Sequence, residues 1–215
     1  MEAATFRGTD ATGGRTARET AVQAPVAFTI ANPAPLGLAA FALTTFVLSM
    51  FNAGLVSAAG EPVVLGLALA YGGVVQILAG MWEFRTGNTF GATAFASYGA
   101  FWLSFWAFVQ FFESKVPKAD AGHAVGLYLI AWGVFTAYMF VASLRTTAAI
   151  SLVFVLLTAT YIVLGIGNAG AHETIVKIGG WLGLATAVAA WYASFAEVTN
   201  ATFGRTVFPV RPLKR

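Results

Sequence analysis

The sequence predicts an all-α membrane protein, six transmembrane helices forming one bundle with both termini in the cytoplasm. Three observations predict it. Charged residues between Glu19 and Glu197 are so sparse that uncharged apolar stretches remain at 20–60, 62–82, 86–112, 121–144, 146–172 and 178–196. Each holds the roughly 20 residues that cross a bilayer as a helix. The composition is 58% hydrophobic and 10% charged, against roughly 25% charged in an ordinary soluble domain. Counted on alternate sides of the membrane, nine Lys and Arg fall with the termini (Arg7, Arg15, Arg18, Arg85, Arg145, Arg205, Arg211, Lys214 and Arg215) and three fall opposite (Lys115, Lys118 and Lys177). By the positive-inside rule that asymmetry puts the termini in the cytoplasm and the protein in the cell membrane as a multi-pass span.

Residues 1–31 have no apolar segment or cleavage-site context of a signal peptide and read as a disordered cytoplasmic tail. Pro33 and Pro35 shorten the first stretch to a helix over about 35–57, because proline suits a first helical turn. Asn32 just before them is a cap, and the free backbone N–H groups there favour an anion. On that helix Phe41, Thr45, Leu48 and Asn52 share a face, with Thr44 beside it. The second stretch carries two faces. Gly66, Ala70, Gly73 and Gly80 are small enough for close helix packing, whereas Gly72, Gln76, Ala79 and Glu83 suggest a wet surface or an interhelical hydrogen bond at Gln76.

In the third stretch Ala94, Tyr98, Trp102 and Phe105 share a face adjoined by Thr93 and Ser97. The fourth follows a loop at 113–121, and the fifth aligns Phe154, Leu157, Tyr161, Leu164 and Asn168. The sixth aligns Gly183, Ala187, Ala190 and Ser194, a second small-residue stripe. Residues 32–204 thus form one six-helix domain, followed by a basic cytoplasmic tail at 205–215.

Several functions are disfavoured. The chain has no cysteine, which removes disulfides, thiol catalysis and Cys-ligated metals. No His, Asp or Glu cluster suggests a metal centre, no nucleophile stands at useful spacing from a base, and no cofactor is expected, so the reading is not of an enzyme. The basic residues follow topology rather than a patch, which argues against nucleic acid as a partner. Glu83, Glu113, Arg145 and Glu197 all fall at span ends, unlike the mid-membrane groups of a carboxylate proton relay or a retinal lysine. What remains inside is hydroxyls, amides and aromatics. Three stripes of them fit either core packing or a narrow path that hydrogen-bonds a small solute. The Asn32-Pro33-Ala34 triplet alone also suggests a water or glycerol channel, but no second triplet occurs.

The longer element Asn32-Pro33-Ala34-Pro35-Leu36-Gly37-Leu38 resembles the acetate uptake transporter family. The likeness continues through Tyr71-Gly72-Gly73, Gln76, Glu83, Gly87-Asn88-Thr89-Phe90-Gly91, Ser97-Tyr98-Gly99, Trp132-Gly133-Val134-Phe135-Thr136, Gly167-Asn168, Gly180-Trp181 and Gly204-Arg205-Thr206-Val207. The resemblance covers about 32–209 and implies a six-helix protomer in a homohexamer surrounded by membrane lipid. It implies a pathway in each protomer for acetate and related short carboxylates, succinate in some members, either proton-coupled or as an anion channel. It places the constriction at Phe41, Tyr98 and Leu157, with Ala190 facing the path. Asn32, Thr44, Thr45, Asn52, Gln76, Thr93, Ser97, Tyr161 and Asn168 are the substrate-binding candidates beside them, taken from the polar stripes and the motif. A neutral-solute channel and a non-transporting membrane scaffold are the competing readings.

Overall fold

The computed structural model describes residues 30–213; the tail expected at 1–31 lies outside the described residues except for its last two, as do Lys214 and Arg215. Six helices are long and apolar enough to cross a membrane: α1 Ala34–Asn52, α2 Val63–Thr86, α3 Thr89–Lys115, α4 Lys118–Ser143, α5 Ala148–Ala169 and α6 Glu173–Phe203. Neighbours in sequence pack against one another and α6 returns to α1, so the helix contacts close into a circuit. Aromatic side chains bridge α3 and α4, including Phe101–Trp132 at 5.3 Å and Tyr98–Phe135 at 5.5 Å between ring centroids.

The small-residue stripe of α6 lies against α1. A Cβ on Gly180 would strike the backbone at Ala53, and one on Gly183 would strike the Ser49 side chain. Ser194 Oγ completes the contact by donating to the Pro35 carbonyl at 2.7 Å. The expected stripe on α2 is only half used. Gly73 and Gly80 face Leu103 and the Ala96 backbone, but Gly66 faces open space and Ala70 is exposed.

Three helix ends differ from expectation. α1 stops at Asn52, before residue 57, because Gly54 takes a left-handed backbone (φ 72°) and turns the chain toward a 3₁₀ turn at Ala58–Gly60. α6 outruns its uncharged stretch at both ends, since charge does not end a helix when the charge is satisfied. Lys177 pairs with Glu173 one turn away at 2.6 Å, and Glu197 is held by Asn32.

Two spans contain a wide π turn, Ala70–Val75 in α2 and Phe108–Phe112 in α3. Such turns carry one residue more than α geometry holds. After Gly204 (φ 63°) the chain folds back across the ends of α5 and α6. Asn200 accepts from the backbone N–H groups of Val207 (2.7 Å) and Phe208 (2.9 Å) and donates to the Phe208 carbonyl (2.8 Å). Tyr192 donates to the Pro209 carbonyl at 2.8 Å, and Leu213 N–H to that of Thr146 at 3.0 Å.

Candidate transmembrane pathway

Halfway along the bundle Phe41 of α1, Tyr98 of α3 and Leu157 of α5 meet, all buried. With Gln76 of α2 and apolar neighbours they line a cleft of about 20 Å³, room for a single water. The Tyr98 ring is fixed from several sides, 5.8 Å from Phe41 and 6.1 Å from Phe154. Its hydroxyl donates to Thr136 Oγ1 at 2.9 Å, and Thr136 in turn donates to the Trp132 carbonyl at 2.7 Å.

Gln76 follows directly on the π turn of α2, is 0% exposed, and finds no hydrogen-bond partner for either Oε1 or Nε2 among the described residues. Thr45 Oγ1 and Trp102 Nε1 are likewise buried without partners. Thr44 and Trp102 meet over Gly72, where no side chain would fit, and Thr44 donates to the Ala40 carbonyl at 2.9 Å. The face of α2 read as a wet surface or as an interhelical hydrogen bond at Gln76 is buried, Gly72, Gln76, Ala79 and Glu83 alike, and Gln76 makes no side-chain hydrogen bond among the described residues.

Away from the termini the bundle opens into a cavity of about 230 Å³ that Asn52 and Asn168 both line, with Glu61, Glu113 and Tyr128. Asn168 donates to the Leu164 carbonyl at 2.8 Å, and buried Tyr161 packs edge-on to Phe101 (5.3 Å), which lines the same cavity. Glu61 lies outside the spans; burial, and after it the nearby charge of Glu113, push its carboxyl above the usual carboxylate range. It therefore keeps its proton to a higher pH than a free carboxyl, and acidification neutralises it early.

At the end that holds the termini, Asn32 turns back on the helix. Its Oδ1 accepts from Ala34 N–H at 3.0 Å and its amide donates to Glu197 at 3.1 Å. The anion at this helix start is thus a side chain of α6. Glu83 is 1% exposed; its Oε2 accepts from Asn88 (2.8 Å) and Thr86 (3.2 Å), and its Oε1 has no partner. In the rest of the motif, Pro33 is buried, Ala34 and Pro35 half-buried and Leu36 exposed, Gly37 backs onto the Phe95 ring, and Leu38 lines the small cavity.

Not every candidate reaches a cavity. Thr93 and Ser97 are half-buried on α3 and line neither one, and Ala190 is fully buried in the same core cluster as Phe41 and Leu157 without lining the small cavity. Sequence reasoning did not single out Glu61 or Glu113 for the mouth, nor Glu197 as the partner of Asn32, because periodicity along one helix says nothing about which distant helix end it meets. Asn88 carried a signal: it follows Glu83 by five residues across a tight Gly87 turn (φ 76°). Among the described residues no group of three His, Asp or Glu could hold a metal ion.

Six apolar helices long enough to cross a bilayer, with several buried polar groups left unpartnered between them, define a multi-pass protein of the cell membrane. The chain belongs to the GPR1/FUN34/yaaH family, whose model matches residues 14–215. It is 41% identical over 181 residues to the succinate-acetate/proton symporter SatP of Escherichia coli (strain K12), covering 84% of this chain and 95% of that protein. It is 43% identical over 195 residues to acetate permease A of Emericella nidulans, covering 84% of this chain and 65% of that longer protein. Its fold matches the solved structure of the bacterial acetate channel SatP with a TM-score of 0.79 at 41% identity, over 85% of this chain and 99% of the other.

Proposed function

We propose that the chain moves acetate and related short carboxylates, succinate among them, across the cell membrane along a path inside each protomer. It is read as a transport protein without a catalytic step, its termini in the cytoplasm. Similarity to proteins named for acetate transport supports this. The observation within the chain that carries it is the meeting of Phe41, Tyr98 and Leu157 at a small cleft that Gln76 also lines, with the larger cavity lined by Asn52 and Asn168 toward one end.

The chemistry requires such a path. A carboxylic acid with a pKa near 4.3 is more than ~99% ionised at pH 7, and its anion is very costly to place in hydrocarbon. Neutral donors can hold it without fixed charge in the membrane. The test is uptake of labelled acetate into proteoliposomes of the full chain, compared with empty liposomes. We expect saturable uptake above background; flux equal to empty liposomes would leave a membrane scaffold as the reading.

A further inference from the structure

On the outer face of the bundle α5 and α6 leave an open groove of about 850 Å³. Leu152 and Leu156 form one wall and Leu184, Ala185 and Val188 the other, so it is apolar along its length. Trp181 stands toward one end; Tyr192, Pro209 and Arg211 stand at the other. From Trp181 to Tyr192 is eleven positions of α6, about 16 Å at 1.5 Å per residue, which is half of a hydrocarbon core roughly 30 Å thick. The groove has the depth of one leaflet.

The charged end is built by the returning C-terminal segment. The Arg211 carbonyl accepts from Ala148 N–H at 2.9 Å, in the first turn of α5, and the Pro209 carbonyl accepts from Tyr192. Arg211 holds a left-handed backbone (φ 51°), a conformation that a residue with a side chain keeps only where its surroundings impose it. Its guanidinium is the one charged side chain among the described residues that line the groove, and it pairs with no carboxylate among them or elsewhere in the described residues. A second copy of the chain has little to set against it. At this end of the bundle the described acids are Glu83, which is buried, and Glu197, which Asn32 holds; Glu61, Glu113, Asp120 and Glu173 lie at the opposite end.

We propose that this groove binds an anionic phospholipid, one acyl chain lying between α5 and α6 and the phosphate resting on Arg211. A guanidinium offers a phosphate paired, charge-assisted hydrogen bonds. Anionic lipids are concentrated in the cytoplasmic leaflet, the side to which the proposed orientation assigns this end. The bound chain covers part of the face formed by Trp181 and Val188, whatever the bundle transports.

The test places the full chain in phosphatidylcholine vesicles with rising fractions of a lipid brominated along its acyl chains, which quenches tryptophan fluorescence on contact. The Trp181 signal is the difference between wild type and Trp181→Phe. Brominated phosphatidylglycerol should half-quench Trp181 at about fivefold lower mole fraction than brominated phosphatidylcholine, a preference of ~1 kcal/mol for one basic residue at the surface. Arg211→Gln should abolish that preference and Arg211→Lys should keep most of it, which separates lost charge from misfolding. Ala185→Phe fills the groove without touching Arg211 and should abolish the preference as well. Equal quenching by the two lipids in the wild type would overturn the proposal. So would a preference that survives Ala185→Phe, which would reduce it to general attraction of anionic lipid to a basic end. Failure of both lipids to quench Trp181 would also overturn it, and disulfide joining of Val188→Cys chains, in a protein with no other cysteine, would then assign the groove to a second copy of the chain. Acetate flux enters none of these readouts, so the outcome stands apart from the transport reading.

Discussion

Single side chains decide what this bundle can admit. Leu157 is 3% exposed and meets Phe41 and Tyr98 across the small cavity, so Leu157→Ala should let larger acids through. A missing methylene in a tight pocket changes discrimination by about tenfold or more, and labelled lactate uptake should rise by that order relative to acetate. An unchanged lactate-to-acetate ratio would take Leu157 out of the path. Phe41, Tyr98 and Leu157 were placed at a constriction by the family resemblance, whereas periodicity alone put each of them, like Gln76, on a helical stripe that fits core packing as well as a path. Glu61 and Glu113 could not be chosen so. Their meeting depends on where α1 ends and on the π turn of α3, and neither leaves a mark in hydropathy.

Among the elements, α1 shows how a helix start can be tied to another helix. Asn32 bonds the first turn and Glu197 of α6 together, 165 residues apart in sequence. Loss of a helix cap costs about 0.5–2 kcal/mol, too little to unfold six packed spans. Asn32→Ala should therefore reach the membrane at normal levels yet lower acetate flux strongly, by freeing Glu197 at this end of the path. Normal flux at normal expression would reduce Asn32 to a helix start. The number of spans was legible because a bilayer demands a minimum apolar length of every helix that crosses it. Their ends were less so, since Gly54 stops α1 early by backbone geometry and satisfied charges let α6 run on.

For the molecule as a whole, the outward faces remain to be covered. Val134 and Val141 of α4, at 62% and 65% exposure, and Trp181 and Val188 of α6, both at 57%, point away from the core. Lipid or further copies can cover such faces, and closed symmetry is the usual solution for identical subunits. We propose a homohexamer in which every protomer conducts alone. Reconstituting wild-type chains mixed with a transport-dead variant should lower flux in proportion to the dead fraction; a steep loss from one dead subunit per ring would move the path to the subunit boundaries.

The wide turn at Ala70–Val75 also bears on how the chain tolerates changes in length. Within a regular span, removing one residue rotates everything beyond it by about 100°, from 3.6 residues per turn, and would swing a buried face toward lipid. A wide turn already stores one surplus residue. A single deletion there should relax it to ordinary α geometry, with Gln76 still turned inward, whereas the same deletion among residues 77–82 should displace Glu83. Aligned relatives should accordingly show one-residue gaps at this turn and not in the remainder of α2.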